Sequence, residues 1–259
     1  MHPTARNRRA RDHPLEAAKP PARPTAGRSR SVKDLLKNNG LSIVLATLFA
    51  IFLVGQVLSG WLHYNEEQND HDQPQVTLFQ YLQTGAFGEA VFENWESEFL
   101  QMGLYVILTV FLVQRGSAES KDPDKEQEEE EEEEDEDEEE KKLETNRPDA
   151  PLPVRKGGVI LSLYNHSLSL AFALLFFASF VGHAVCGTRA YNEEALAHGK
   201  EALTLWQYWG TSQFWFESLQ NWQSEFLAIL AIVVLSIWLR EKGSPESKPV
   251  SAPHAKTGA

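Results

Sequence analysis

Apolar and polar positions divide this chain into four hydrophobic stretches separated by strongly polar segments. Leu41 to Leu62 reads LSIVLATLFAIFLVGQVLSGWL, 22 residues without a formal charge. At about 1.5 Å per helical residue such a run covers the roughly 30 Å hydrocarbon core of a bilayer. It is also too long for the apolar part of a removable leader, which runs to about 15 residues. A comparable stretch lies at about 165–187. Phe99 to Val113 and Phe226 to Leu239 are shorter, but extended back to Trp95 and Trp222 each reaches the roughly 20 residues a span needs, with an aromatic residue at interfacial depth. The pattern predicts an all-α membrane protein of four transmembrane helices, at about 41–62, 95–114, 165–187 and 222–240.

The four stretches are two copies of one unit. A shift of 127 positions lays residues 38–121 on 165–248 without a gap, with roughly 34 of 84 positions identical. Such self-similarity takes precedence over any other reading of the pattern. Matched landmarks include Gly55 with Gly182, Tyr64-Asn65-Glu66-Glu67 with Tyr191-Asn192-Glu193-Glu194, and Gln80-Tyr81 with Gln207-Tyr208. Two tandem helical hairpins of equal orientation imply a pseudo-two-fold axis along the membrane normal. The expected organisation is a disordered basic arm (1–37), repeat one (38–121), a disordered acidic linker (122–158), repeat two (159–248) and a disordered tail (249–259).

Charge sharpens this picture. From Glu126 to Glu140 every position but Gln127 is acidic; removing those 14 carboxylates from the formal net charge of −13 leaves +1, so the acidity is local. Like charges at that density cannot collapse, and the linker reads as a solvated tether or a dock for a basic partner. His63 to Glu93 contains no Lys or Arg, and Thr188 to Gln220 only Arg189 and Lys200. The positive-inside rule therefore puts both termini and the linker in the cytoplasm, and the two hairpin connections outside.

Candidate chemistry is sparse. There is no phosphate-cradling Gly-rich loop with Lys, no G-x-S-x-G elbow and no H-E-x-x-H helix, so no enzyme, cofactor, metal or nucleic-acid partner is expected. Cys186 is the sole cysteine, which excludes an intramolecular disulfide and suits a small packed residue in a helix. Glu98 and Glu225 lie one turn inside a Trp, where an ionisable group marks function unless it stays among the headgroups. Gln56 and His183 hold equivalent positions beside Gly55 and Gly182, as a hydrogen bond across a close helix contact requires. On the outer face Tyr64, Asn65 and Glu66, and Tyr191, Asn192 and Glu193, offer polar groups alongside His63, His71 and His198, in a spacing that fits no standard metal pattern. Gly116 and Gly243 follow basic residues and read as left-handed closures of helix C-termini.

Asn-Trp-x-Ser-Glu-Phe-Leu (Asn94 to Leu100, Asn221 to Leu227) and Arg-Gly-Ser-x-Glu-Ser-Lys (Arg115 to Lys121, with Lys242 for Arg in the second copy) resemble the repeated motifs of an uncharacterised family of bacterial membrane proteins. The resemblance implies a multi-pass protein of the bacterial inner membrane and no activity. The sequence favours a non-enzymatic structural or interaction component in the lipid bilayer. Its alternative is a small transporter or channel with Glu98, Glu225, Gln56 and His183 along the pseudo-symmetry axis, for which four helices would call for a homodimer.

Overall fold

The computed structural model describes residues 32–123, 147 and 149–258, and those residues hold eight helices and no strand. They are α1 (Val32–Asp70), α2 (Leu78–Tyr81), α3 (Gly85–Phe111), α4 (Leu152–Lys156), α5 (Gly158–Asn165), α6 (Ser167–Ala197), α7 (Leu205–Trp209) and α8 (Ser212–Leu235). Within them Leu35–Asp70, Ser167–Ala197 and Ser212–Leu235 are long and apolar enough to cross a membrane. The expected stretch at 95–114 forms most of α3, whose first half carries Glu89, Glu93, Glu96 and Glu98.

The chain divides into two compact units, 1–54 and 55–259. In the first, α1 starts at Val32, so the last residues of the expected unstructured arm are already helical; Asn39 leaves helical geometry (φ −131°, ψ 17°) and kinks the helix there. The rest of that arm, and the Glu126 to Glu140 tether, lie outside the described residues.

In the second unit the most extensive helix contact is between α3 and α6. Small residues make it. A Cβ added at Gly85 would meet the Ala190 backbone nitrogen and lie 2.8 Å from the Cys186 carbonyl, and one at Gly88 would lie 2.5 Å from Cys186 Sγ. An aromatic layer of Phe180, Tyr208, Trp209 and Phe214 seals one side, with Phe180 and Phe214 edge to face at 5.4 Å. Leu174, Phe177, Leu227 and Leu230 point outward, as the lipid-facing side of a membrane bundle does.

Local contacts recur between the copies. Asn65 and Asn192 each clamp the loop eleven residues on, Asn65 accepting from the Val76 amide (2.7 Å) and donating to its carbonyl (3.0 Å), Asn192 doing the same at Leu203 (2.7 and 2.8 Å). Thr77 with Gln80, and Thr204 with Gln207, form capping boxes that start α2 and α7. Thr84 and Thr211 cap α3 and α8 through the amides of Phe87 and Phe214.

The two ends of the repeats differ from expectation. Gly116 and Gly243 are left-handed (φ +84° and +88°), but α3 stops at Phe111 and α8 at Leu235, so the glycines shape turns beyond the helices rather than closing them. The final segment is not a loose tail. Lys248 is buried and its Nζ donates to the carbonyls of Gly116, His254 (3.0 Å) and Lys256 (2.9 Å). The Gly116 amide donates to Thr257 Oγ1 (3.0 Å) and the Gly258 amide to the Ser117 carbonyl (2.9 Å). The end of the expected linker likewise forms α4, and α5 starts at its last residue, Gly158.

Candidate functional site

Glu89, Glu93 and Glu96 are spaced i, i+4, i+7 on α3, which places them on one face. That face meets α6 where His183 and Gly187, four residues apart, share a side. The Thr204 capping box fixes the start of α7 and with it Tyr208, which is completely buried, while the Thr211 cap sets the start of α8 and brings Glu217 in from its second turn.

His183 is the centre. Its Nδ1 lies 3.1 Å from Glu96 Oε2 and its Nε2 lies 3.4 Å from Glu217 Oε2; both His183 and Glu96 are wholly removed from solvent. A carboxylate only accepts, so each ring nitrogen that faces one carries a proton, and the ring donates from Nδ1 to Glu96 and from Nε2 to Glu217. Trp222 Nε1 donates to the other Glu96 oxygen at 3.2 Å, and Phe214 stacks obliquely against the imidazole at 4.7 Å between centroids. The ring is thus fixed in orientation.

The Tyr208 hydroxyl bridges two carboxylates, donating within reach of Glu89 Oε1 (3.0 Å) and Glu217 Oε2 (3.2 Å), and Gln213 Nε2 donates to Glu217 Oε1 (3.0 Å). Burial, reinforced by the negative charges of Glu89 and Glu217, raises the phenol well above its ordinary range, so it remains an O–H donor. Space for this arrangement comes from Gly187: a Cβ there would lie 2.5 Å from Tyr208 Oη and 2.7 Å from Glu89 Oε1. Ligand atoms of Glu89, His183 and Glu217 all fall within 4.8 Å of one another.

A cavity of about 550 Å³ reaches this cluster, with Glu89 and Gln213 on its wall. It opens among the ends of α1 and α6, where Tyr64, Glu67, Tyr191, Glu193 and Glu194 line it and the His71 and His198 rings meet edge to face at 5.5 Å. Among the described residues its lining includes four carboxylates and no Lys or Arg. A concave surface of one sign focuses the field and concentrates cations.

Of the residues singled out from sequence, His183 is in the cluster; Tyr64, Tyr191 and Glu193 line the cavity. Asn65 and Asn192 are loop clamps, and Glu66 is exposed. Gln56 donates to the Ala90 carbonyl (3.4 Å) in repeat one, the place that His183 and Glu217 take in repeat two. The close contact expected at both glycines holds at Gly182, where a Cβ would lie 2.7 Å from the Phe92 ring, and not at Gly55, which meets nothing within 4 Å. Glu98 is exposed because it follows Glu96 by two residues, about 200° around the helix. Glu225 is half-buried, and its contribution is a carbonyl that accepts from Gln101 Nε2 (2.8 Å).

Glu89, Glu96, Tyr208 and Glu217 were not singled out from sequence. A signal for the three glutamates exists: the 127-residue offset pairs Glu89 with Phe216, Glu96 with Gln223 and Glu217 with Ala90, positions that differ in charge, whereas Tyr208 pairs with Tyr81.

The family model described as Domain of unknown function (DUF6766) matches residues 32–259. The chain belongs to that family. No curated protein matches the chain. No solved structure matches it either. Membership covers the chain from Val32 through the C-terminal segment and carries no activity with it.

Proposed function

We propose that this family member is a membrane protein that admits a cation from the outer face into a buried carboxylate–imidazole site, acting as a conduit. The observation that carries the reading is the acid-lined cavity ending at Glu89, one hydrogen-bonded step through Tyr208 from Glu217 and His183. Buried ionisable groups at membrane depth are costly, and in helical bundles they mark ion pathways. A purely structural component, favoured by sequence alone, has no use for an acid-lined cavity that leads to the cluster.

In this reading α3 is the fourth span, the hairpins are related by a pseudo-two-fold axis, and the connections bearing the Tyr-Asn-Glu-Glu segments face outward, with both termini in the cytoplasm of a bacterial cell. The distribution of Lys and Arg supports that orientation. The site draws Glu89 and Glu96 from repeat one and His183, Tyr208 and Glu217 from repeat two, at the contact between the halves where repeat-built transporters hold their substrates.

The test is flux. Full-length protein in liposomes, with a voltage-sensitive dye reporting net cation entry, is expected to conduct. Glu89→Gln should slow entry by roughly tenfold or more, equivalent to about 1.4 kcal/mol on the rate-limiting step. Glu98→Gln should leave it unchanged. Wild-type protein that conducts nothing, or an effect at Glu98 and none at Glu89, contradicts the proposal.

A further inference from the structure

We infer that Glu89, His183 and Glu217 form a binding site for a borderline divalent metal ion of the zinc or cobalt type, with the acid-lined cavity as its route of access. This deepens the reading of the cluster as a cation site and rests on it.

The donor set comes first. Two carboxylates and one imidazole nitrogen, with their ligand atoms already within 4.8 Å, are the mixed O/N set that borderline divalent ions prefer over hard Mg²⁺ or Ca²⁺. Three protein ligands with an open direction toward water describe a reactive or exchangeable site rather than a closed structural one. Here the open direction is the cavity, through which an ion can arrive and leave.

The hydrogen bonding on the other side of the imidazole points the same way. A metal-bound histidine almost always donates its other ring N–H to a carboxylate, which sets the tautomer and aims the free nitrogen at the ion. Glu96 does this for His183: it is buried, takes Nδ1 at 3.1 Å, and is itself held by Trp222 Nε1 at 3.2 Å. Nε2 is thereby turned to the side where Glu217 and Glu89 converge; it faces Glu217 Oε2 at 3.4 Å, and an ion that binds there displaces the Nε2 proton. Repeat one shows what a packing-only version looks like: Gln56 in place of His183 and the Ala90 backbone in place of the Glu217 side chain, with no carboxylate supporting the amide.

Charge balance is the third. Glu89, Glu93, Glu96 and Glu217 surround a single imidazole, and Arg189, the one arginine of that outer connection, is occupied with the Gln83 carbonyl at 3.3 Å. A dication offsets this local excess where water cannot. Tyr208 now bridges the two ligand carboxylates; on binding, its hydroxyl keeps one of them in place as an outer hydrogen bond.

The experiment uses full-length protein purified in detergent and stripped with chelator, titrated with Co(II) and read by visible d–d absorption, and separately with Zn(II) by calorimetry. One ion per chain is expected. His183→Gln, which reproduces the residue of repeat one, and Glu217→Gln should abolish the Co(II) spectrum. Glu96→Gln should weaken affinity roughly 10- to 100-fold while leaving the spectrum's shape, the mark of a positioning residue. Glu98→Gln should bind as wild type, and thermal unfolding of each variant identifies loss of fold. No uptake by wild type, or equal uptake by His183→Gln and Glu217→Gln, overturns the inference. Cation flux that persists after chelation, with Glu89 still required, would overturn the metal site while keeping the conduit; absence of both flux and uptake would remove both.

Discussion

Replacing Glu96 by Ala should cost about 3–5 kcal/mol of stability, the largest single effect expected outside the backbone contacts, because removing one partner of a buried pair strands the other. Both oxygens of Glu96 are in use, one by His183 Nδ1 and one by Trp222 Nε1, and the wholly buried His183 has no water to turn to. Glu96→Gln should fall between, since its single carbonyl oxygen can serve one donor while its NH₂ confronts the other, at about 1–3 kcal/mol for a buried unsatisfied group. Glu98→Ala, on the exposed side of the same turn, should stay within about 0.5 kcal/mol. Equilibrium unfolding in mixed micelles reads all three. A Glu96→Ala protein as stable as the wild type would show that the carboxylate is not the anchor of His183.

The second large effect is at the helix crossing. Gly85→Ala places a methyl group against the Ala190 backbone nitrogen and within 2.8 Å of the Cys186 carbonyl. Backbone cannot rotate away as a side chain can, so α3 and α6 must separate, at a cost of about 1–3 kcal/mol or more. Because Glu89 is one turn further along α3, the separation also withdraws it from Tyr208 and Glu217, and cation binding should weaken together with stability. Gly55→Ala is the comparison: it meets nothing within 4 Å, and adding a helix-favouring methyl there should be neutral or stabilising by up to about 1 kcal/mol. The same micelle unfolding assay, run with Co(II) titration, distinguishes the two. Equal behaviour of Gly85→Ala and Gly55→Ala would mean that the crossing tolerates a wider approach.

Much of the fold could be read from residue pattern because its determinants are local. Long uncharged runs give the apolar helices at Leu35–Asp70 and Ser167–Ala197. His183 was legible too, as an imidazole inside an apolar helix. What pattern alone missed depends on helix rotation and on contacts between distant segments. Glu98 drew attention because the motif around it is duplicated, yet Glu96, which is not duplicated, is the buried residue; a difference of two positions reverses the face. Glu217 becomes relevant only when α8 is placed beside α6, and the Lys248 contacts with Gly116 join residues 132 apart. Glu89, Glu96, His183 and Glu217 all differ from the residue 127 positions away, and Tyr208 does not.

Water access from the outer face to Glu89 is the central claim, and thiol labelling in intact cells tests it directly. With Cys186 replaced by Ser, single cysteines are placed at Glu67 on the cavity wall near its mouth, at Glu89 beside the cluster, and at Leu174 on the outward apolar side of α6. A membrane-impermeant reagent is expected to modify the Glu67 and Glu89 positions and to leave Leu174 unmodified. Modification at Glu67 with none at Glu89 would mean that the cavity does not connect to the buried cluster, and the conduit reading would fail.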